Sequence, residues 1–216
     1  STQQQSQIFD QTDLFGALAT QLTGIPDFGT STGSGLSLDK WTQELRLSSP
    51  SGSRLEWLGG FFFTHEDSGR NEPTYTFDTL TGAQLLPLNT LFFAYLDSHY
   101  TEYAGYGDLT YHFTPAFDVT AGLRYSTNHQ TFLSDEDGIF AGGPSTVSGT
   151  SSDHSVTYLV TPKYQFDSHH MLYARVATGY RPGGPNAPTP SEVAAGVPNA
   201  YRPDTLTDYD LGYKAS

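Results

Sequence analysis

The sequence predicts an all-β chain: about seven strands of an antiparallel, up-and-down transmembrane β-barrel segment belonging to a larger barrel. Three observations carry that expectation. About seven stretches alternate apolar and polar residues, the period of a strand with one greasy and one wet wall. Their connections are short and long in strict turn. Charged residues gather on one side of the alternation, and tyrosines and aliphatics on the other.

The elements follow in order. Residues 1–38, rich in Gln, Thr, Ser and Gly, read as an extracellular loop or the end of a preceding strand, with one helical turn over 13–22. A first strand, 39–48, sets Trp41, Leu45 and Leu47 against Glu44 and Arg46; Ser49-Pro50-Ser51-Gly52-Ser53 makes a tight turn. A second, 54–65, sets Trp57, Phe61 and Phe63 against Glu56 and Thr64, although Leu58 and Phe62 interrupt its polar side. After a loop over 66–98, a third strand, 99–113, carries Tyr103, Leu109 and Tyr111 opposite Glu102, Asp108 and His112, and Thr114-Pro115-Ala116 turns the chain. A fourth, 117–132, places Val119, Leu123 and Tyr125 against Asp118, Arg124 and Ser126.

A loop over 133–153 leads to a fifth strand, 154–166, with Tyr158, Val160, Pro162 and Tyr164 opposite Thr157 and Lys163. Pro162 cannot donate to a ladder, which predicts a bulge there. Asp167-Ser168-His169 is the third tight turn. A sixth strand, 170–181, sets Leu172, Val176 and Tyr180 against Arg175 and Arg181. The loop over 182–204 contains five prolines from Pro182 to Pro198, and a seventh strand, 205–215, sets Tyr209, Leu211 and Tyr213 against Asp208 and Asp210.

Turns near 50, 115 and 168 therefore share one end, and the loops 66–98, 133–153 and 182–204 the other. Outer-membrane barrels have short periplasmic turns and longer extracellular loops, which sets the orientation. A Lys or Arg facing lipid at mid-depth costs ~2–4 kcal/mol. The charged side must then line an aqueous or protein-filled lumen: Glu44, Arg46, Glu102, Asp108, Asp118, Arg124, Lys163, Arg175, Asp208 and Asp210. Trp41, Trp57, Tyr111, Tyr125, Tyr158, Tyr164, Tyr180, Tyr209 and Tyr213 face lipid or form its aromatic girdles.

Composition bounds the function. The 216 residues suffice for one domain, and no apolar run approaches the ~20 residues that a spanning helix needs. With 23 acidic and 10 basic residues the net charge is −13, which disfavours nucleic acid. The acids concentrate in the long loops, suiting attraction of cations or divalent bridging to lipopolysaccharide. Without Cys there is no disulfide framework, and the seven His show no metal-ligand spacing. No nucleophile elbow or phosphate-binding glycine pattern occurs, so no enzyme and no cofactor is expected. The first residues lack the charged start and apolar core of a signal peptide, and both ends read as cut from something longer.

Five segments in order resemble one family. WTQELRLSSP (41–50), RLEWLGGFFFTHED (54–67), GDLTYHFTPAFDVTAGLRYS (107–126), VTYLVTPKYQFDSHHMLYARVATGYRPGGPN (156–186) and YRPDTLTDYDLGYKAS (201–216) are similar to barrel segments of the TonB-dependent receptors of Gram-negative outer membranes. The resemblance implies a portion of a 22-stranded barrel closed by an N-terminal plug. It also implies active uptake energised through TonB, and the stretch Gly179 to Asn186 is similar to receptors for ferric siderophores. The plug, the TonB-contacting segment and the terminal strand are not in this chain. Arg175, Arg181 and Arg124 are the candidate contacts to an anionic ferric chelate, since guanidinium groups favour bidentate carboxylate pairing. Ion pairs with plug carboxylates, or with Asp208 and Asp210, compete for the same groups. A passive porin or structural outer-membrane barrel, and a secreted β-sandwich binding module, are the rival expectations.

Overall fold

The computed structural model describes residues 1–186 and 195–215. Strand β1 (Thr2–Asp10) runs into a π-helical turn (Thr12–Gly16) and helix α1 (Ala17–Thr23). Then come β2 (Phe28–Ser48), β3 (Leu55–Asp78), β4 (Phe93–Thr114), β5 (Phe117–Asp137), β6 (Ser145–Gln165) and β7 (His170–Arg181). Two short strands, β8 (Gly184–Pro185) and β9 (Ala200–Tyr201), pair with each other, and β10 (Asp204–Ala215) follows.

One antiparallel sheet contains eight strands in the order β1-β2-β3-β4-β5-β6-β7-β10. Every neighbour in it is a chain neighbour apart from the small β8–β9 excursion, so the path is up-and-down. The sheet is open: β1 and β10 each carry an unpaired edge, as befits a piece of a larger barrel.

The seven expected strands are present, and the eighth is β1, in the stretch read from sequence as an extracellular loop or the end of a preceding strand. Its residues, largely polar with four Gln, have no apolar alternation; the backbone ladder pairs it with β2, from Thr2–Asp39 to Asp10–Ser31. The same cause lengthens the hairpins. β3 and β4 continue pairing up to Pro73–Phe93, and β5 and β6 up to Glu136–Ser145. The loops expected at 66–98 and 133–153 thus contract to 79–92 and 138–144. Polar strand extensions leave no apolar stripe to read. Part of the third long loop, residues 187–194 with Pro188 and Pro190, lies outside the described residues.

Pro162 causes no bulge. The β6–β7 register is the same below it, at Lys163–Tyr173, and above it, at Leu159–Ala177. The ladder to β7 merely skips Thr161 and Pro162, while Pro162 stays opposite Val119 on β5.

Few large side chains are buried. The buried apolar residues among those described are Ala19, Phe28, Leu91, Ala104 and Ala177, whereas Leu45, Leu123, Leu211 and many aromatics stand exposed. A sandwich would hide these between two layers. A single main sheet with its apolar face bare overturns the β-sandwich expectation. An apolar cluster, Ala19, Phe28 and Leu91, sits at the loop end, with Ile25, Leu85, Leu86 and Phe140 packed against it. Helix α1 stops at Gly24, whose φ of 76° caps it through an N–H to the carbonyl of Thr20.

Candidate functional site

Cross-strand register sorts the side chains into two faces. On the apolar face, Trp41 packs edge-on against Phe63 at 5.2 Å and Phe63 lies 4.9 Å from Tyr103. A second aromatic group lies toward the tight turns: Tyr111 with Phe113 at 4.7 Å, Phe113 with Phe117 at 5.5 Å, and Tyr164 with Phe166 at 5.0 Å. Trp57, Tyr125, Tyr158, Tyr209 and Tyr213 are exposed, and their strand positions place them on the same face. From Tyr103 to Phe113, a rise of about 3.3 Å per residue and a strand tilt near 40° give about 25 Å between the two bands. That equals the height of the apolar belt of an outer-membrane barrel, roughly 25 Å.

The charged face is a bonded network. Arg46 donates from Nη2 to Glu44 at 2.7 Å and from Nε to the Tyr106 hydroxyl at 3.0 Å, and that hydroxyl donates to the other Glu44 oxygen at 2.5 Å. Arg124 donates to Glu102 at 2.7 Å, Tyr100 donates to the second Glu102 oxygen at 2.5 Å, and the Arg124 guanidinium lies 5.1 Å from the Phe62 ring. Phe62, which broke the polar pattern, is thus a platform for a cation. Lys163 pairs with Asp118 at 2.9 Å, and the Thr110 and Thr120 hydroxyls meet at 2.8 Å.

Among the described residues, the side chains of Arg175, Asp108 and Asp208 have neither a hydrogen bond nor an ion pair. Asp210 is reached only by the Tyr173 hydroxyl, at 3.4 Å. Arg175 and Asp108 border, with Glu44, Arg46, Tyr106 and Arg124, a recess of about 430 Å³ in the charged wall.

Two expected placements change. Tyr180 lies on the charged face, where its hydroxyl accepts a bond from Asn128 Nδ2 at 2.5 Å. Beside it, the Thr178 hydroxyl accepts the Tyr158 N–H at 2.8 Å and donates to the Tyr158 carbonyl at 3.3 Å, where the regular β6–β7 ladder ends. A side chain takes the place of a backbone rung there. Arg181 pairs with Asp204, not with Asp208 or Asp210, across the β7–β10 register. Of the three candidate arginines, Arg124, engaged by Glu102, and Arg175 border the same recess, whereas Arg181, engaged by Asp204, is not part of its lining. Tyr106, Tyr100 and Asn128 were missed, although each shares the even parity of Glu102 and Arg124; Asp204 fell just outside the expected strand.

The segment after β1 folds over the charged face at its outer end. Thr12 Oγ1 accepts the Thr30 N–H at 3.1 Å, and the Gln11 N–H donates to the Thr30 carbonyl at 2.9 Å. Beyond β7, Gln130 Nε2 donates to the Gly183 carbonyl and draws the β8–β9 excursion onto β5.

The sequence profile of the family described as TonB dependent receptor-like, beta-barrel, matches residues 2–216. The chain belongs to that family. It is a family of receptors, not of enzymes. The chain is also similar to the pesticin receptor of Yersinia pestis, 36% identical over 83 residues, which is 38% of this chain and 12% of that protein. The pesticin receptor of Yersinia enterocolitica is 35% identical over 83 residues, with the same coverage of each chain. Among solved structures, the ferric yersiniabactin uptake receptor FyuA from Yersinia pestis superposes with a TM-score of 0.67 at 20% identity, over 89% of this chain and 28% of that one. That likeness concerns the fold. The chain spans well under a third of the length of these relatives. For a member of this family, a bare apolar face and a bonded charged face are the two walls of one barrel stave.

Proposed function

We propose that this chain forms part of the barrel wall of an outer-membrane receptor that takes up a ferric siderophore, with energy relayed through TonB. The observation that carries this reading is the two-faced sheet, with aromatic bands about 25 Å apart on one face and ion pairs on the other. In it the apolar face meets lipid and the periphery touches lipopolysaccharide; Glu44, Arg46, Glu102, Asp118, Arg124 and Lys163 brace the lumen. Arg175, Asp108 and Asp208, the charges without partners in the wall, are the groups we assign to docking the receptor's plug. Arg175 is the one of the three candidate arginines left to reach a carboxylate there or on the ligand. The likeness in fold to a ferric yersiniabactin uptake receptor supports an iron-chelate cargo.

The test is uptake of radiolabelled ferric siderophores by cells carrying the full-length receptor, with and without TonB. Accumulation above the external concentration that vanishes without TonB is expected. Entry that continues unchanged without TonB, and never exceeds the external level, would mean a passive pore instead.

A further inference from the structure

Above the aromatic bands, the same face of the sheet carries a trough of about 570 Å³. Two rungs floor it: Ser6–Gly35–Asn71–Tyr95 and, next below, Gln4–Ser37–Gly69. Gly35 and Gly69, on the two middle strands, place no side chain in it; Phe93 and Tyr95 of β4 wall one flank, and Gln4 and Ser6 of β1 the other. The β2–β3 register holds from Gly35–Asn71 down to Trp41–His65, so the trough opens on the face of the Trp41 band. None of the described residues lining it is charged. Asp97, which follows Gly69 in the lower rung, lies outside the lining, 3.6 Å from His99.

Height, charge and chemistry each narrow the occupant. Gly35 lies six residues above Trp41; at about 3.3 Å per residue and a tilt near 40°, that is about 15 Å above the aromatic band. Phospholipid headgroups rise only roughly 5–8 Å beyond the hydrocarbon on each side. A lipid reaches this height only with a tall saccharide headgroup. The lining offers a phosphate no cation, whereas Phe93 and Tyr95 offer flat apolar rings that suit the C–H face of a sugar. Around them, the amides of Gln4 and Asn71 and the hydroxyls of Ser6 and Tyr95 have no hydrogen-bond partner among the described residues. An amide both donates and accepts, as neighbouring sugar hydroxyls require. Ser37 is committed instead, donating to the Gly69 carbonyl at 3.3 Å.

We propose that this trough holds uncharged sugar units of the lipopolysaccharide headgroup, so that the receptor's outer wall grips a glycolipid by its oligosaccharide as well as by its acyl chains. This rests on the outer-membrane reading above. A sugar ring lies across Gly35 and Gly69, packs against Tyr95 and exchanges hydrogen bonds with Asn71 and Gln4.

The experiment compares the affinity of the purified full-length receptor, in detergent micelles, for two lipopolysaccharides with the same lipid A. One carries a complete core oligosaccharide; the other is truncated to its innermost acidic sugars. The complete form is expected to bind about tenfold tighter, the worth of one or two hydrogen bonds. Tyr95→Ala with Asn71→Ala is expected to erase that margin and leave affinity for the truncated form where it was. Gly69→Val, which fills the trough and removes no polar partner, is expected to do the same. Heat-modifiable gel migration confirms that each variant has folded. Equal affinity for the two forms, or a margin that survives in both variants, overturns this inference and leaves the uptake reading intact. Binding of neither form, by a receptor that also fails to accumulate ferric siderophores, overturns both.

Discussion

At the residue scale, the side chains that matter are those whose bonding the register fixes. Arg124 is held between the Glu102 carboxylate and the Phe62 ring, so its charge is part of the wall. The turn acid Asp167 shows the same logic outside the membrane. One of its oxygens accepts the N–H groups of His169 at 2.8 Å and His170 at 3.0 Å, and its side chain also meets the His170 ring. The His169 amide, aided by the His170 side chain, holds its carboxyl below the usual carboxylate range. A carboxyl lowered on folding stabilises fully above its unfolded value, near 3.9, and that contribution fades as pH falls through the lowered folded value. The contribution of the Asp167 carboxylate should therefore fade only below about pH 4. Hydrogen exchange at the His169 and His170 amides, compared with Asp167→Asn, checks this; equal exchange in the two proteins at pH 6 would refute it.

At the element scale, glycines opposite tyrosines shape the charged face. Gly60 pairs with Tyr106, and a Cβ built there would come within 2.4 Å of the Tyr106 ring and 2.9 Å of the Leu45 carbonyl. Gly212 pairs with Tyr173 in the same way. A ring lying over a cross-strand glycine fills the gap the glycine leaves, and here it also carries the hydroxyl to Glu44 and Arg46. Gly60→Ala should displace that ring and cost about 1–3 kcal/mol, the usual penalty of overpacking. Urea midpoints of the full-length receptor in bilayers measure it; an unchanged midpoint would mean that the ring is free to move. The strands flanking these glycines were legible because apolar and polar residues alternate through them. β1 and the upper ends of β3 to β6 were not, because Gln, Ser, Thr and Asp pair through the backbone without marking a face. The inward placement of Tyr180 was hidden for a different reason: strict alternation from Leu172 and Val176 puts it on the apolar face, and only its bond with Asn128 shows otherwise.

At the scale of the whole molecule, the assignment of faces is an energetic claim. Leu123, 58% exposed on the apolar face, and Thr157, opposite Arg124 on the charged face, sit on adjacent strands at nearly the same height. Leu123→Arg should cost about 2–4 kcal/mol if it meets lipid at mid-depth, whereas Thr157→Arg should be tolerated within about 1 kcal/mol on a hydrated wall. Equal penalties at the two sites would dissolve the distinction between lipid and lumen. The family and the strand path could be read from the sequence because they depend on order and period. A recess walled by Phe15, Leu18, Thr30, Glu72, Phe92 and Phe140 could not, since it joins residues from five separate stretches of chain.

The strands β2 to β6 are 21 to 24 residues long, about twice what a bilayer crossing requires, ~9–11 residues. Each stave therefore has a lower half answerable to membrane thickness and an upper half free of that demand. On the proposed uptake reading, insertion and cargo choice are separable along the same strand. Chimeras joined at the level of Trp41 would inherit their assembly from one parent and their choice of cargo from the other.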